Sequence, residues 1–139
     1  MIVVDVNVVA YYFIAGDRTE VARDLMRVDP DWRLPTLWSH EYLNVLATYA
    51  RHGGATIAEI RELWRLARDL LASREQAVEP EAVLGIAADH KISAYDAQYV
   101  VLAQRLRTVL VTEDRRLVKA FPSIARTMEA FVAAQSTPG

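Results

Sequence analysis

The sequence predicts an α/β fold built on a central parallel sheet. Short apolar segments alternate along the chain with segments of helical periodicity, and strands separated by helices pair in parallel. The chain has 139 residues, 53% hydrophobic and 24% charged, which is enough for one well-formed core. Because no Pro/Gly-rich linker divides it, we expect a single domain over residues 1–134 and a flexible tail over residues 135–139.

Two segments carry a clear strand signal. Residues 2–5 begin with a β-branched run and residues 108–111 form a second short apolar segment, as expected for strands that are buried on both faces. Residues 32–35 form a further short strand, and weaker candidates follow at residues 76–78 and 124–127. Functional residues of a parallel sheet gather beyond the carboxyl ends of its strands, so the residues after these segments are the first candidates for a site.

Helical periodicity fills the intervals between the strands. The predicted helices cover residues 7–14, 37–51, 56–71, 81–89, 93–106 and 113–121, and a further helix that Thr19 can cap carries Val21, Ala22, Leu25 and Met26. Thr56 and Glu59 form a capping-box pattern at the start of one helix, and Thr112 is the apparent N-cap of the last.

Composition excludes several classes of site. The chain has no cysteine, which excludes disulfides and thiolate metal sites, and its three histidines lack the spacing of a zinc site. The formal net charge of -2 means that any nucleic-acid role depends on a local basic surface or on bound cations. No apolar run approaches the roughly 20 residues of a membrane span and no signal peptide is evident, so we expect a cytoplasmic protein with no membrane partner.

Four acidic residues occupy suggestive positions. Asp5 and Asp114 follow the two clear strands, whereas Glu41 and Asp96 lie near helix starts. Each has a structural alternative. Asp5 can cap the next helix, Asp114 can complement a helix dipole, Asp96 can complete a capping box with Ser93, and Glu41 can lie on a solvated helix face.

The four positions together favour a shared site. In a parallel α/β fold they can converge at one end of the sheet, where the carboxylates would repel each other and raise one another's pKa values. A divalent cation resolves that conflict, and an all-oxygen site favours Mg²⁺ or Mn²⁺ over softer metals.

Four short motifs in order resemble those of the PIN-domain nucleases, and their spacing is similar to that of the VapC toxins of toxin–antitoxin pairs. The motifs are Val3-Val4-Asp5-Val6-Asn7, His40-Glu41-Tyr42-Leu43-Asn44-Val45-Leu46, Ala94-Tyr95-Asp96-Ala97-Gln98-Tyr99 and Val111-Thr112-Glu113-Asp114-Arg115-Arg116-Leu117. The resemblance covers nearly the whole chain. It implies a three-layer α/β/α architecture with a five-stranded parallel sheet, and a Mg²⁺- or Mn²⁺-dependent endoribonuclease activity.

The resemblance also implies roles for individual residues. Asp5, Glu41, Asp96 and Asp114 match the family's acidic positions, and we expect Asp5, Asp96 and Asp114 to hold the metal. Thr112 matches a hydroxyl residue that commonly stands two positions before the last acid.

Asn7 stands where many members of the family have Ser or Thr, and its amide can still hydrogen-bond Asp5 or a metal-bound water.

Further expectations concern substrate and partners. Arg115 and Arg116, with Lys119, follow Asp114 closely and can contact RNA phosphates, although a solvated helix surface explains them equally well. Glu113 is an extra acid whose side chain we expect to point away. The resemblance implies an RNA substrate, an antitoxin protein as partner and a homodimer.

Three other functions compete for the same residues. A receiver domain needs paired acids after the first strand and a late lysine, but a single Asp5 and Thr112-Glu113-Asp114 stand at those places. A phosphatase with an aspartate nucleophile needs a second acid two residues after Asp5, where this chain has Asn7. A catalytically inactive module of the same fold that binds RNA or protein is the alternative that the sequence leaves open.

Overall fold

A computed structural model describes residues 1–136 of the chain. Its strands are β1 (Ile2–Val4), β2 (Trp32–Pro35), β3 (Glu75–Gln76), β4 (Leu110–Val111) and β5 (Ala125–Arg126). Its α-helices are α1 (Val6–Phe13), α2 (Thr19–Val28), α3 (Trp38–His52), α4 (Ile57–Leu71), α5 (Pro80–His90), α6 (Ala94–Leu106), α7 (Arg115–Ala120) and α8 (Met128–Ser136). All five predicted strands are present, each within a few residues of its expected position.

The five strands form one parallel sheet in the order β3-β2-β1-β4-β5. The chain runs outward from β1 through β2 to β3 and then crosses to the other side of β1 to form β4 and β5. The strand order therefore switches between β1 and β4, the place where ligands bind in open α/β sheets.

Side chains of β1 alternate between two cores, one on each face of the sheet. Ile2 and Val4 pack in a large cluster with side chains of α1, α2, α3, α4 and α8, whereas Val3 packs with side chains of α6 and α7. This alternation follows from the two-residue period of a strand. The predicted three-layer α/β/α architecture is confirmed.

Local sequence signals account for several helix boundaries. Thr56 caps α4 by accepting from the backbone N–H of Glu59, whose side chain accepts from the backbone N–H of Thr56, so the predicted capping box is present. The assignment of Thr112 as an N-cap is wrong, because α7 begins later and Asp114 caps it.

The end of the chain differs from the expectation. Helix α8 was not predicted, and it includes Gln135 and Ser136, which the sequence assigned to a flexible tail. Its buried Met128 and Phe131 join the large core, and this burial stabilises a segment with little local signal. The remainder of the predicted tail lies outside the described residues.

Candidate active site

The site is built around two buried side chains that follow adjacent strands. Val4 of β1 and Val111 of β4 are register partners, so the next residues, Asp5 and Thr112, emerge side by side at the carboxyl end of the sheet. The Thr112 hydroxyl donates to Asp5 Oδ2 at 2.7 Å, and Asp5 and Thr112 are only 5% and 0% exposed. Neighbouring strand ends thus hold a carboxylate at the switch in strand order.

Asp5 also caps α1. Its Oδ1 accepts from the backbone N–H of Val6 at 2.7 Å, so the capping role that the sequence offered as an alternative is present together with the site contacts. Burial raises the pKa of Asp5 to about 6, although the bonds from Thr112 and Val6 oppose the shift. The charges of Glu41 and Asp96 raise this pKa further, which means that both acids lie near Asp5.

Asn7 links Asp5 to the loop that follows β4. Its Nδ2 donates at 3.4 Å both to Asp5 Oδ2 and to Thr112 Oγ1, while its Oδ1 accepts from the backbone N–H of Glu113 at 3.3 Å. Thr112 Oγ1 in turn accepts from the backbone N–H of Asp114 at 3.0 Å. This network restricts the orientation of the Asp5 carboxylate.

Glu41 is held by a tyrosine that the sequence analysis did not single out. The Tyr99 hydroxyl donates to Glu41 Oε1 at 2.7 Å, and the Tyr99 side chain is fully buried. Burial raises the pKa of Tyr99 well above its usual value and keeps the phenol a neutral donor. Because Tyr99 lies three residues after Asp96 in α6, it shares a helix face with that acid, and this spacing could have identified it.

Glu41 and Asp96 are both half-buried carboxylates with raised pKa values. Burial is the main cause for each, and the charge of Asp96 adds to the shift of Glu41. Asp96 lies in the first turn of α6, where its backbone N–H donates to the Ser93 hydroxyl at 3.0 Å. Its position in the capping motif and its place among the acids are therefore compatible.

Asp114 is held differently from the other three acids. Its Oδ1 accepts from the backbone N–H of Arg116 at 2.9 Å, and its Oδ2 lies 3.1 Å from the Arg116 guanidinium. The hydrogen bond to Arg116 lowers the pKa of Asp114, whereas the charge of Asp114 raises the pKa of Asp96. Asp114 thus adjoins the cluster while a cation and a helix N-terminus neutralise it.

The structure brings the four predicted acids into one neighbourhood, each with different hydrogen-bond partners. Within residues 1–136, no three acidic or histidine side chains are placed so that they could hold one metal ion. The mutual repulsion among Asp5, Glu41 and Asp96 nevertheless favours a cation, and their oxygens are the ligands that Mg²⁺ and Mn²⁺ prefer. The chemistry of this donor set fits such an ion.

Glu113 and the basic residues lie around this cluster. Glu113 Oε1 accepts from the backbone N–H of Met128 at 3.4 Å and its Oε2 lies 3.7 Å from Arg18, so its carboxylate takes part in other contacts. Arg116 shares a surface depression with Asp96, whereas Arg115 lines a separate depression with Lys119. The three predicted phosphate contacts are therefore divided, and among them only Arg116 borders the acids.

Comparison with known proteins identifies the family. The PIN domain model matches residues 2–121, which include all four acids. The chain belongs to the PIN domain family. This PIN domain is 29% identical to Ribonuclease VapC3 from Pyrobaculum aerophilum over 88% of its own length and 96% of that protein's. It also shares the fold of the crystal structure of PAE2754 from the same organism, with a TM-score of 0.77, 20% identity and coverage of 97% of this chain and 96% of that one.

The described part of this PIN domain contains no helix long and apolar enough to cross a membrane.

Proposed function

We propose that this PIN domain is a Mg²⁺- or Mn²⁺-dependent endoribonuclease and the toxin of a toxin–antitoxin pair. Its similarity to a protein named Ribonuclease VapC3 supports the RNA substrate and the toxin role. The observation that carries the proposal is the cluster of Asp5, Glu41 and Asp96. Three chain segments bring these carboxylates together at the carboxyl end of the sheet, and each has a raised pKa.

Asp5, Asp96 and Asp114 would hold the divalent cation once their side chains draw closer together, because no three acids within residues 1–136 are already placed around one ion. When bound, such an ion supplies a nucleophile by lowering the pKa of a coordinated water and offsets the charge that develops on the phosphate. Asp114 is bonded to Arg116, whose side chain is 85% exposed, so Asp114 would exchange that surface cation for the ion.

The protein side chains contribute orientation and proton transfer. Thr112 and Asn7 hold the Asp5 carboxylate in place. Glu41 would accept the proton of the attacking water, because burial raises its pKa and makes it a stronger base. The neutral Tyr99 hydroxyl fixes one oxygen of Glu41 through a hydrogen bond.

The partners of the protein follow from the same proposal. A toxin of this type would bind an antitoxin protein and would act as a homodimer in the cytoplasm. The homodimer and the cytoplasmic location remain predictions, which size-exclusion chromatography with light scattering and cell fractionation would check.

The proposal is tested by incubating the protein with varied single-stranded and structured RNAs, with Mg²⁺ or Mn²⁺ and with excess EDTA. We expect cleavage only with a divalent ion, and a loss of about 100-fold or more in Asp96→Asn. Asp69→Asn is the matched control, because Asp69 lies on α4 with a 69% exposed side chain, and it should cleave within about twofold of wild type.

Cleavage that persists in excess EDTA would overturn the metal dependence. RNA binding by the wild type without cleavage in either metal would instead favour the inactive binding module.

A further inference from the structure

Two surface depressions adjoin the acidic cluster, and each contains one of its acids. The first is lined by Leu37, His40, Glu41, Asn44 and Tyr95. The second includes Lys91, Asp96 and Arg116 among its lining residues. Tyr95 and Asp96 are consecutive in the first turn of α6, so the two depressions meet at this turn.

The first depression offers an exposed aromatic ring beside the acids. Tyr95 is 64% exposed, although large aromatic side chains elsewhere in the molecule, such as Tyr42 and Tyr99, are fully buried. An exposed ring at a nucleic-acid site stacks on an unpaired base, since every base presents a π-face. Leu37 adds an apolar wall, and His40 and Asn44 add hydrogen-bonding groups for base edges.

The second depression offers positive charge. Lys91 and Arg116 both line it, and the side chain of Arg116 is 85% exposed. Arg116 lies beside Asp96 in this depression and is also paired with Asp114 at 3.1 Å. In a chain whose net charge is -2, two cations beside an acidic cluster form a local complement to phosphate.

We propose that single-stranded RNA lies across the turn at Tyr95 and Asp96. One base stacks on Tyr95 in the first depression, and a neighbouring phosphate binds Lys91 and Arg116 in the second. The inference rests on the proposed endoribonuclease function and adds the residues that bind the RNA on either side of the acids. Tyr95 is then the residue that requires an unpaired base at this position.

Fluorescence anisotropy with a labelled single-stranded RNA of mixed sequence tests the inference in EDTA, without turnover. Loss of one base stack predicts that Tyr95→Ala raises Kd about tenfold, whereas Tyr95→Phe, which keeps the ring, restores Kd to within about twofold of wild type. Leu84→Ala is the control, since Leu84 is 65% exposed on α5 and lines neither depression.

Salt dependence tests the phosphate contact. Lys91→Ala should reduce the slope of log Kd against log salt by about 0.7, the value for one phosphate contact on a single strand. Tyr95→Ala should leave that slope unchanged, because stacking releases no counterions.

Three results would overturn the inference. Either equal Kd values for Tyr95→Ala and wild type or no measurable binding of RNA by the wild type is such a result, and a third is a Tyr95→Phe variant that binds as weakly as Tyr95→Ala. Cleavage with Mg²⁺ or Mn²⁺ is measured in parallel. Equal Kd values together with metal-dependent cleavage would reject base stacking on Tyr95 and would leave the proposed nuclease function standing.

Discussion

The buried charge of Asp5 should lower the free energy of unfolding of the metal-free protein, and Asp5→Asn should raise it again. The pKa of Asp5 rises from 3.8 to about 6 on folding, mainly through burial. At about 1.4 kcal/mol per pKa unit, ionised Asp5 disfavours the folded state by about 3 kcal/mol at neutral pH. Asparagine has the same shape without the charge.

Part of this gain is offset by a lost hydrogen bond. The oxygen of the introduced asparagine would still accept from the Val6 backbone N–H, but the amide nitrogen would replace Oδ2, which accepts from the Thr112 hydroxyl and, over 3.4 Å, from Asn7 Nδ2. That loss costs about 1 kcal/mol. We therefore expect Asp5→Asn to gain about 2 kcal/mol in EDTA near neutral pH, or roughly 4–8 °C in Tm for a chain of this size.

The pH dependence of the gain identifies its cause. The folded state keeps a proton on Asp5 up to about pH 6, whereas the unfolded state releases it near 3.8. Between these values the folded state binds more protons, so the stability of the wild type falls as the pH rises through this window. The free-energy difference between variant and wild type should therefore fall by about 2.5 kcal/mol from about pH 7.5 to about pH 4, which removes the advantage of the variant.

Urea denaturation of both proteins in EDTA at the two pH values measures these quantities. Asp69→Asn is the control for an exposed carboxylate and should change stability by less than about 0.5 kcal/mol. An Asp5→Asn variant that is less stable than wild type in EDTA near neutral pH would refute the reasoning. A difference that does not change with pH would do the same.

Two further substitutions have matched controls in the chain. Tyr99→Phe removes the hydroxyl that orients Glu41 and should lower kcat about tenfold, because a hydrogen bond to a charged group contributes about 1.5 kcal/mol or more. Tyr42→Phe, which loses only a 3.3 Å bond to a backbone carbonyl, should cleave at the wild-type rate, and a loss of kcat as large as that of Tyr99→Phe would contradict the positioning role. Thr56→Ala removes the N-cap of α4 and should lower Tm by roughly 2–4 °C, since a cap contributes about 1 kcal/mol. Thr48→Ala is the control, because Thr48 is exposed within α3 and caps no helix. Equal Tm values for Thr56→Ala and Thr48→Ala in thermal melts would refute the contribution of the cap.

Local patterns were sufficient for the sheet and for most helices. A strand buried on both faces needs a short β-branched run, and residues 2–5 and 108–111 carry that signal. A cap needs groups only three residues apart, so Thr56 and Glu59 could be identified directly. Helix α8 lacked such a signal, because packing of Met128 and Phe131 against distant helices stabilises it.

The candidate site was predictable in outline and not in detail. Its acids could be proposed because they follow strands or begin helices, which are local properties. The hydrogen-bond partners of those acids could not be predicted, because Thr112 lies 107 positions after Asp5 and Tyr99 lies 58 positions after Glu41. Only the order of the strands and the placement of the helices around the sheet decide which side chains meet.

The sequence by itself determined where each acid stands along its strand or helix, because secondary structure depends on neighbours a few residues away. Tertiary structure decided that Asp5 is buried and has a raised pKa, that Tyr99 holds Glu41, and that Arg116 neutralises Asp114. Burial and charge proximity are properties of three-dimensional packing, and they control whether a carboxylate is a cap, a base or a ligand.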